Sequence, residues 1–353
     1  MDKNNAYFDG SKIIAVDKDR NGLKPEIFAV DGNRTSGKTT YFGRWFVNRF
    51  KKYGEKFIII KRWDNQLPTV SSKFFPVLQR LFFPNDIFTS QKRDNGAYYE
   101  LFLNDTPCGY AISINGADKV KENSHLMQDA QRMLFDEFQT TKYVPGEVEK
   151  FVSIHASIAR GDYEFTRYCP VYMVCNHVSS LNPYYRAWHC ATEIDELQEG
   201  IYKGDGFVIQ KDMNTAAADA QKQSGFNRAF KDTGAVDHII NNTGVNDNRS
   251  FVEKLNTNGS QYICTCIVDG QKIALRRVHD NPKCVYYFDD KVDPACKTRY
   301  AINTASHSCD TVLINSKSIL LVASVRRCFE AGYIRFSTLE VKAAAFEFMM
   351  IML

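Results

Sequence analysis

Eight consecutive residues, Gly32-Asn33-Arg34-Thr35-Ser36-Gly37-Lys38-Thr39, fit the pattern G-x-x-x-x-G-K-[ST], the phosphate-binding loop (P-loop, Walker A). The chemistry demands these residue types. Glycines let the backbone curl so that its N–H groups surround phosphate oxygens. Lys38 places a point charge on the β- and γ-oxygens, and Thr39 offers a hydroxyl to Mg²⁺. A helix starting there points its positive end at the anion. The implied ligands are ATP and Mg²⁺. The bland alternative is a glycine turn beside a solvated lysine, but such a string arises by chance in roughly one chain of this length in a hundred.

A P-loop needs an acidic partner on a neighbouring strand. Met133-Leu134-Phe135-Asp136-Glu137 is an apolar run ending in two carboxylates. Asp136 would hold Mg²⁺ through water, and Glu137 would polarise an attacking water. Without the loop upstream, this would be an ordinary strand-terminal acidic pair. A Glu after the Asp also points to water as acceptor, which kinases of small metabolites do not require. A third run, Val174-Cys175-Asn176, ends in an amide. In motors of this class an Asn there senses the γ-phosphate; from the residues alone, an Asn capping a turn reads equally well.

These groups must be held in place, and the hydrophobic pattern supplies the holders. Ile27-Phe28-Ala29-Val30 reads as a buried strand running into Asp31-Gly32. Lys38 to Lys52 has helical spacing, with Phe42, Trp45, Phe46 and Phe50 recurring, and Tyr53-Gly54 stops it. Phe57 to Ile60 is a second strand, Met133 to Phe135 leads a third, and Val171 to Cys175 is a fourth. Strands alternating with helices predict an α/β domain with a parallel sheet. Beyond Gly204-Asp205-Gly206 the texture changes. Gly234 to Ser250 is rich in Asn, Asp and Gly. Gln261–Val268 and Gln271–Val278 read as strands joined by an Asp269-Gly270 hairpin turn, Val285 to Phe288 follows, and helical patterns end the chain. The expected organisation is a P-loop domain over 1–204, a linker over 205–235 and a smaller α+β domain over 236–353.

Composition narrows the classes. The chain has 353 residues, 45 Lys plus Arg against 41 Asp plus Glu, and a formal charge of +4. That permits a nucleic-acid partner without arguing for one. Ten cysteines contain no C-x-x-C pair, so zinc-ribbon spacing is absent. Met1 to Asn5 is polar and unlike a signal peptide, which implies free thiols in a reducing cytosol. No apolar run approaches the ~18–20 residues that span a bilayer, so no membrane partner is expected.

The chain resembles the DNA-encapsidation (genome-packaging) ATPases of the small protein-primed podophages. The resemblance rests on Gly32–Thr39; Asn48-Arg49-Phe50-Lys51-Lys52-Tyr53-Gly54-Glu55-Lys56-Phe57-Ile58; Phe135-Asp136-Glu137-Phe138; Tyr143-Val144-Pro145; Asn176 followed by Asn182-Pro183-Tyr184-Tyr185; and Ala331-Gly332-Tyr333-Ile334-Arg335-Phe336. They lie in order over nearly the whole chain, with the weakest stretch at about 64–110. The resemblance implies an ASCE-type P-loop ATPase domain and a small RNase H-like domain that has lost nuclease function. It implies a homopentameric ring that drives double-stranded DNA into an empty prohead with ATP. That ring sits on the portal, directly or through a scaffold RNA. The setting would be the host cytoplasm, transiently at the portal vertex, and not the mature virion.

The resemblance also carries residue roles. A neighbour's arginine finger falls on Arg160 when Tyr143-Val144-Pro145 is aligned, with Arg167 next in line. A lysine acting in trans after the second strand falls on Asp64, with Lys61 and Arg62 as nearby substitutes. The loop before the Asp-Glu strand holds Lys119 and Lys121, placed like the family's DNA-contacting pore loop; the bland reading is a solvated mixed-charge loop. The window Tyr41 to Arg62 carries seven basic residues and one acidic, either a solvated helix face or a stripe facing DNA or a subunit. Asp269, Asp289 and Asp290 do not make the convergent trio that a two-metal nuclease needs. Two rivals share the P-loop: a small-molecule or nucleoside kinase, and a non-catalytic nucleotide-gated assembly protein in which Glu137 is idle.

Overall fold

A computed structural model describes residues 7–160, 165–231, 236, 248–268, 270–280, 283–314 and 319–350. Met1–Asn5, most of the Asn-rich stretch at 234–250, Asp269 of the expected hairpin turn and the last three residues lie outside them. The chain divides into two compact units, Met1–Asn246 and Asp247–Leu353.

The first unit is built on one sheet of β1 (Ile27–Gly32), β2 (Lys56–Lys61), β3 (Phe88–Arg93), β4 (Tyr98–Leu103), β5 (Thr106–Ser113), β6 (Ala130–Asp136), β7 (Val171–Asn176), β8 (Gly200–Lys203) and β9 (Phe207–Asp212). The order is β3-β4-β5-β2-β6-β7-β1-β9-β8. From β5 to β9 in that order the strands run parallel, and antiparallel strands close both edges. β7 lies between the P-loop strand β1 and the acidic strand β6, the ASCE arrangement. Parallel strands covered on both faces must be apolar throughout; Ala29, Val30, Ile58, Ile60, Leu134 and Val174 are all buried. The first five α-helices of this unit are α1 (Ser11–Ile14), α2 (Lys38–Tyr53), α3 (Phe75–Phe82), α4 (Ala117–Glu122) and α5 (Glu147–Ile158), and Pro183–Ala187 and Ala191–Glu196 come after β7. α2 sends Phe42 and Phe46 into one core, with Ile59, Leu134 and Tyr172. α5 sends Phe151, Ile154 and Ile158 into the other, with Ile58, Ile60 and Phe135.

The expected 205–235 linker is corrected at its start. Phe207–Asp212 is β9, paired in parallel with the whole of β1 from Ile27↔Phe207 to Gly32↔Asp212. Helices Thr215–Gln223 and Gly225–Ala229 follow inside the first unit. The polar Gly204-Asp205-Gly206 stretch is only the turn of the β8–β9 hairpin. A fragment ending at residue 204 would uncover β1 and lose the burial of Phe207, Val208 and Ile209, each worth ~1.5–3 kcal/mol. It should aggregate or melt at much lower temperature than a 1–231 fragment, which a thermal melt of the two would show.

In the second unit β10 (Gln261–Val268), β11 (Gln271–Asp280) and β12 (Lys283–Asp289) form the expected antiparallel meander. β13 (Arg299–Ala301) and β14 (Val312–Leu313) continue the sheet in parallel beside β10, and β15 (Ile334–Phe336) runs parallel to β12. A meander extended by parallel strands on the side of its first strand is the topology of an RNase H-like sheet. Helices Ile319–Glu330 and Leu339–Met350 complete this α+β unit, sharing a core through Val325, Phe348 and Phe288. β10 carries no carboxylate, and the buried Asp289 is ion-paired with Arg276 at 2.9 Å. Among the described residues no helix is long and apolar enough to cross a membrane.

Candidate active site

Three adjacent strand ends bring the sequence-predicted groups together. Gly32 at the end of β1 registers with Asn176 of β7, and Asp136 of β6 registers with Val174 of β7. The carboxyl edge of a parallel sheet is where such folds bind ligands. Gly32 is required by a close approach: a Cβ there would lie 2.7 Å from the Asp212 carbonyl of β9. Gly37 is required by its φ of +93° where it caps α2. Asn33 has a holding task. Its Nδ2 donates to the Asn214 carbonyl (2.9 Å) and its Oδ1 accepts from the Asn214 N–H (3.0 Å), pinning the loop to the segment after β9. Ser36 Oγ donates to the Asn33 carbonyl, while Arg34 and Thr35 are exposed.

Lys38 is buried, and burial lowers its pKa below the usual lysine range. Its ammonium donates to the carbonyls of Gly32 (3.0 Å) and Asn33 (2.7 Å), to Ser36 Oγ (3.1 Å) and to Asn176 Oδ1 (3.4 Å). A poorly hydrated cation held at the loop can transfer those donors to phosphate oxygens at little desolvation cost. Behind the loop, Asp31 is fully buried and contacted by His177 Nδ1 (2.6 Å), Tyr185 Oη (3.0 Å) and Gln139 Nε2 (3.1 Å). Burial raises its pKa, but His177, Lys211 and Tyr185 outweigh that and hold it below the usual carboxylate value.

Thr39 Oγ1 donates to Asp136 Oδ1 at 2.8 Å, and Lys61 Nζ bonds Asp136 Oδ2 at 2.7 Å. Hard oxygen donors at this spacing suit Mg²⁺, which keeps most of its waters and takes few protein ligands. Thr39 and Asp136 are the oxygen donors that would hold such an ion here; among the described residues no cluster of three or more His, Cys, Asp or Glu could hold a metal. Glu137 next door is exposed, and its carboxylate has no bond among the described residues. Its backbone is left-handed, φ +61°, a conformation costing a non-glycine residue ~1–3 kcal/mol. Thr39, Lys61, Asp136, Glu137 and Lys73 line one cleft of about 380 Å³.

Other expectations fare differently. Near Asp64, where the trans-acting lysine is expected, Arg62 is buried and paired with Glu147, and Lys61 is paired with Asp136. Asp64 itself hydrogen-bonds Ser113. Arg160 is exposed just past α5, whereas the guanidinium nitrogens of Arg167 are buried. Lys119 and Lys121 lie on α4 and not on a loop; Lys119 is exposed, and Lys121 pairs with Asp118 at 2.8 Å. Five of the seven basic residues in the window 41–62 are in ion pairs within the chain, Arg49–Glu55, Lys51–Asp86 and Lys56–Asp129 in addition to those of Lys61 and Arg62, while Arg44 and Lys52 are exposed. Sequence reasoning missed Lys61 and Arg62 as local partners of the Asp-Glu corner. Their place at the end of the strand beside it was the available signal.

The matches to known proteins extend over nearly the full length of the chain. The family model described as "Podovirus DNA encapsidation protein (Gp16)" matches residues 1–353. A DNA packaging protein of Bacillus phage phi29 is 24% identical over 352 residues, covering 98% of each chain. One from Bacillus phage B103 is 23% identical over 323 residues, covering 90% of this chain and 94% of that one. A structure titled "The bacteriophage Phi-29 viral genome packaging motor assembly" has the same fold, with TM-score 0.73, 22% identity and 99% and 100% coverage of the two chains. With strand order, P-loop and acidic corner all in place along a match that spans every residue, the chain belongs to the podovirus DNA encapsidation protein (Gp16) family.

Proposed function

We propose that this chain is the ATPase subunit of a viral genome-packaging motor, hydrolysing ATP to move double-stranded DNA through the portal into a preformed prohead. The observation that carries this reading is the convergence of Gly32–Thr39, Asp136–Glu137 and Asn176 on three neighbouring strand ends in a chain of this family. The backbone of Gly32 to Thr39 cradles the phosphates, and Lys38 neutralises the β- and γ-oxygens. Mg²⁺, held by Thr39 and by Asp136 through water, would withdraw charge from the phosphates. Glu137 orients water and takes its proton as the water oxygen bonds the γ-phosphorus and the β–γ bridge breaks. Asn176, already within reach of Lys38, reads whether the γ-phosphate is present.

The subunits work as a ring, a pentamer on the family pattern, docked on the portal vertex in the host cytoplasm either directly or through a scaffold RNA. Arg160 completes the neighbour's site. Support for a trans role is geometric. Glu147 at the start of α5 is tied to the Glu137 corner through Arg62, and α5 then runs twelve residues, ~18 Å, before Arg160. Arg160 stands exposed past the end of α5 away from that corner, which supports a role in a neighbour's site.

A packaging motor must ignore sequence, so DNA contacts go to phosphates and weaken steeply with salt. ATPase activity should be stimulated by any double-stranded DNA at low salt. Neutralising Lys119 and Lys121 together should reduce stimulated more than basal turnover and flatten the log–log salt dependence of DNA binding by roughly two units. Turnover indifferent to DNA at every salt concentration would remove the motor reading and favour a small-molecule kinase.

A further inference from the structure

We infer that Arg62 is a positioning residue for hydrolysis, which clamps the left-handed backbone of Glu137 so that its carboxylate faces the cleft. The inference rests on Glu137 being the group that activates water. Lys61 and Arg62 are consecutive at the end of β2, and they serve consecutive residues of the neighbouring strand end. Lys61 holds the Asp136 carboxylate. Arg62 holds the backbone beyond it, donating from Nη1 to the Glu137 carbonyl (2.9 Å) and from Nη2 to the Phe138 carbonyl (2.8 Å). These are the first two carbonyls after the positive φ at Glu137.

The clamp is itself fixed. Arg62 Nε and Nη2 meet Glu147 Oε2 and Oε1 at 2.8 and 3.0 Å, a two-pronged pair buried to 5% and 1% side-chain exposure. Glu147 also accepts from the Val144 N–H (2.9 Å) and Tyr184 Oη (2.9 Å). Every lobe of the carboxylate is used, and the guanidinium lies near the rings of Phe135 and Tyr143. A buried ion pair of this kind is a poor source of stability compared with apolar packing. What it provides is direction: a planar fork fixed on one side by Glu147 presents donors to two successive carbonyls on the other. Lysine has the charge but not the fork. The Glu137 carboxylate makes no bond of its own among the described residues, so its aim is set through the backbone that Arg62 holds.

The test is a double-mutant cycle read by single-turnover hydrolysis and by ATP affinity in wild type, Arg62→Lys, Glu137→Gln and the double variant. Arg62→Lys should slow hydrolysis ~100-fold, the scale of a misplacement of about 1 Å. Its ATP affinity should stay within about twofold, because the phosphate loop is not touched. In the Glu137→Gln background the same change should cost nothing further, since the group being aimed is already gone. A general structural defect would slow both backgrounds alike, and that result, or a wild-type rate in Arg62→Lys, overturns the inference. Should Arg62→Lys fail to fold, Tyr184→Phe removes one bond from Glu147 without stranding a charge. It should give a smaller loss, ~10-fold, that also vanishes with Glu137→Gln, and a full rate there overturns the inference equally. A wild-type rate in Glu137→Gln alone would instead remove the role of Glu137 on which the inference rests.

Discussion

Glu137→Gln is expected to bind ATP normally and to hydrolyse it ~10²–10⁴-fold more slowly, while Lys38→Ala is expected to lose ATP binding altogether. The two differ because the residues act at different stages. Glutamine keeps the size of Glu137 and removes only the ability to take a proton, which matters when water attacks. Lys38 is needed from the first encounter, because its charge offsets that of the triphosphate. Its loss also strands the carbonyls of Gly32 and Asn33, which it now joins. Circular dichroism should show both variants folded, since the core on either face of the sheet is untouched. Equilibrium binding of a fluorescent ATP analogue, beside phosphate release, separates the effects. Wild-type ATP affinity in Lys38→Ala would sink the assignment of Gly32–Thr39 as the phosphate loop. Unchanged turnover in Glu137→Gln would favour a nucleotide-gated assembly protein over a motor.

What the sequence made legible follows from how strongly each element is constrained. β1, β2, β6 and β7 are buried on both faces, so they appear as unbroken apolar runs, and the P-loop carries its own pattern. Other strands escaped notice because their signal is weaker or masked, as β3 and β9 illustrate. β3 is an edge strand, largely exposed, and its Phe-Thr-Ser-Gln-Lys-Arg reads as surface. β9 begins after a Gly-Asp-Gly turn that imitates a domain boundary, although Val208 and Ile209 are fully buried. The site divides the same way. Asp136 and Glu137 are marked by type and position. The partners Arg62, Glu147 and Tyr184 come from three separate elements, 85 residues apart in one pair and 37 in the other, and only the fold brings them together. The pairing inside the basic window was not legible, because charge density along the chain does not reveal that acids as distant as Asp86, Asp129 and Glu147 come to meet it.

Arg160→Ala is expected to leave ATP binding largely intact and to slow hydrolysis by ~10³–10⁵-fold, the range for a finger that stabilises charge on the transferring phosphoryl group. That charge develops mainly in the transition state, so ground-state affinity should hardly move. Arg160 is exposed beyond α5, so truncating it opens no cavity in the core and a structural collapse does not account for so large a loss. The separation of ring motor from self-contained enzyme comes from mixing two inactive variants, Glu137→Gln and Arg160→Ala. In a mixed ring some interfaces join an intact Glu137 on one subunit to an intact Arg160 on the next, so part of the ATPase activity should return. Two defects in a site formed by one chain cannot rescue each other. Recovery should rise and fall with the mixing ratio and should require conditions in which rings form. If mixtures stay inactive while ring assembly is seen directly, Arg160 is not the trans-acting group. Arg167 would be the next to test, and its buried guanidinium would then have to swing outward to reach a neighbour.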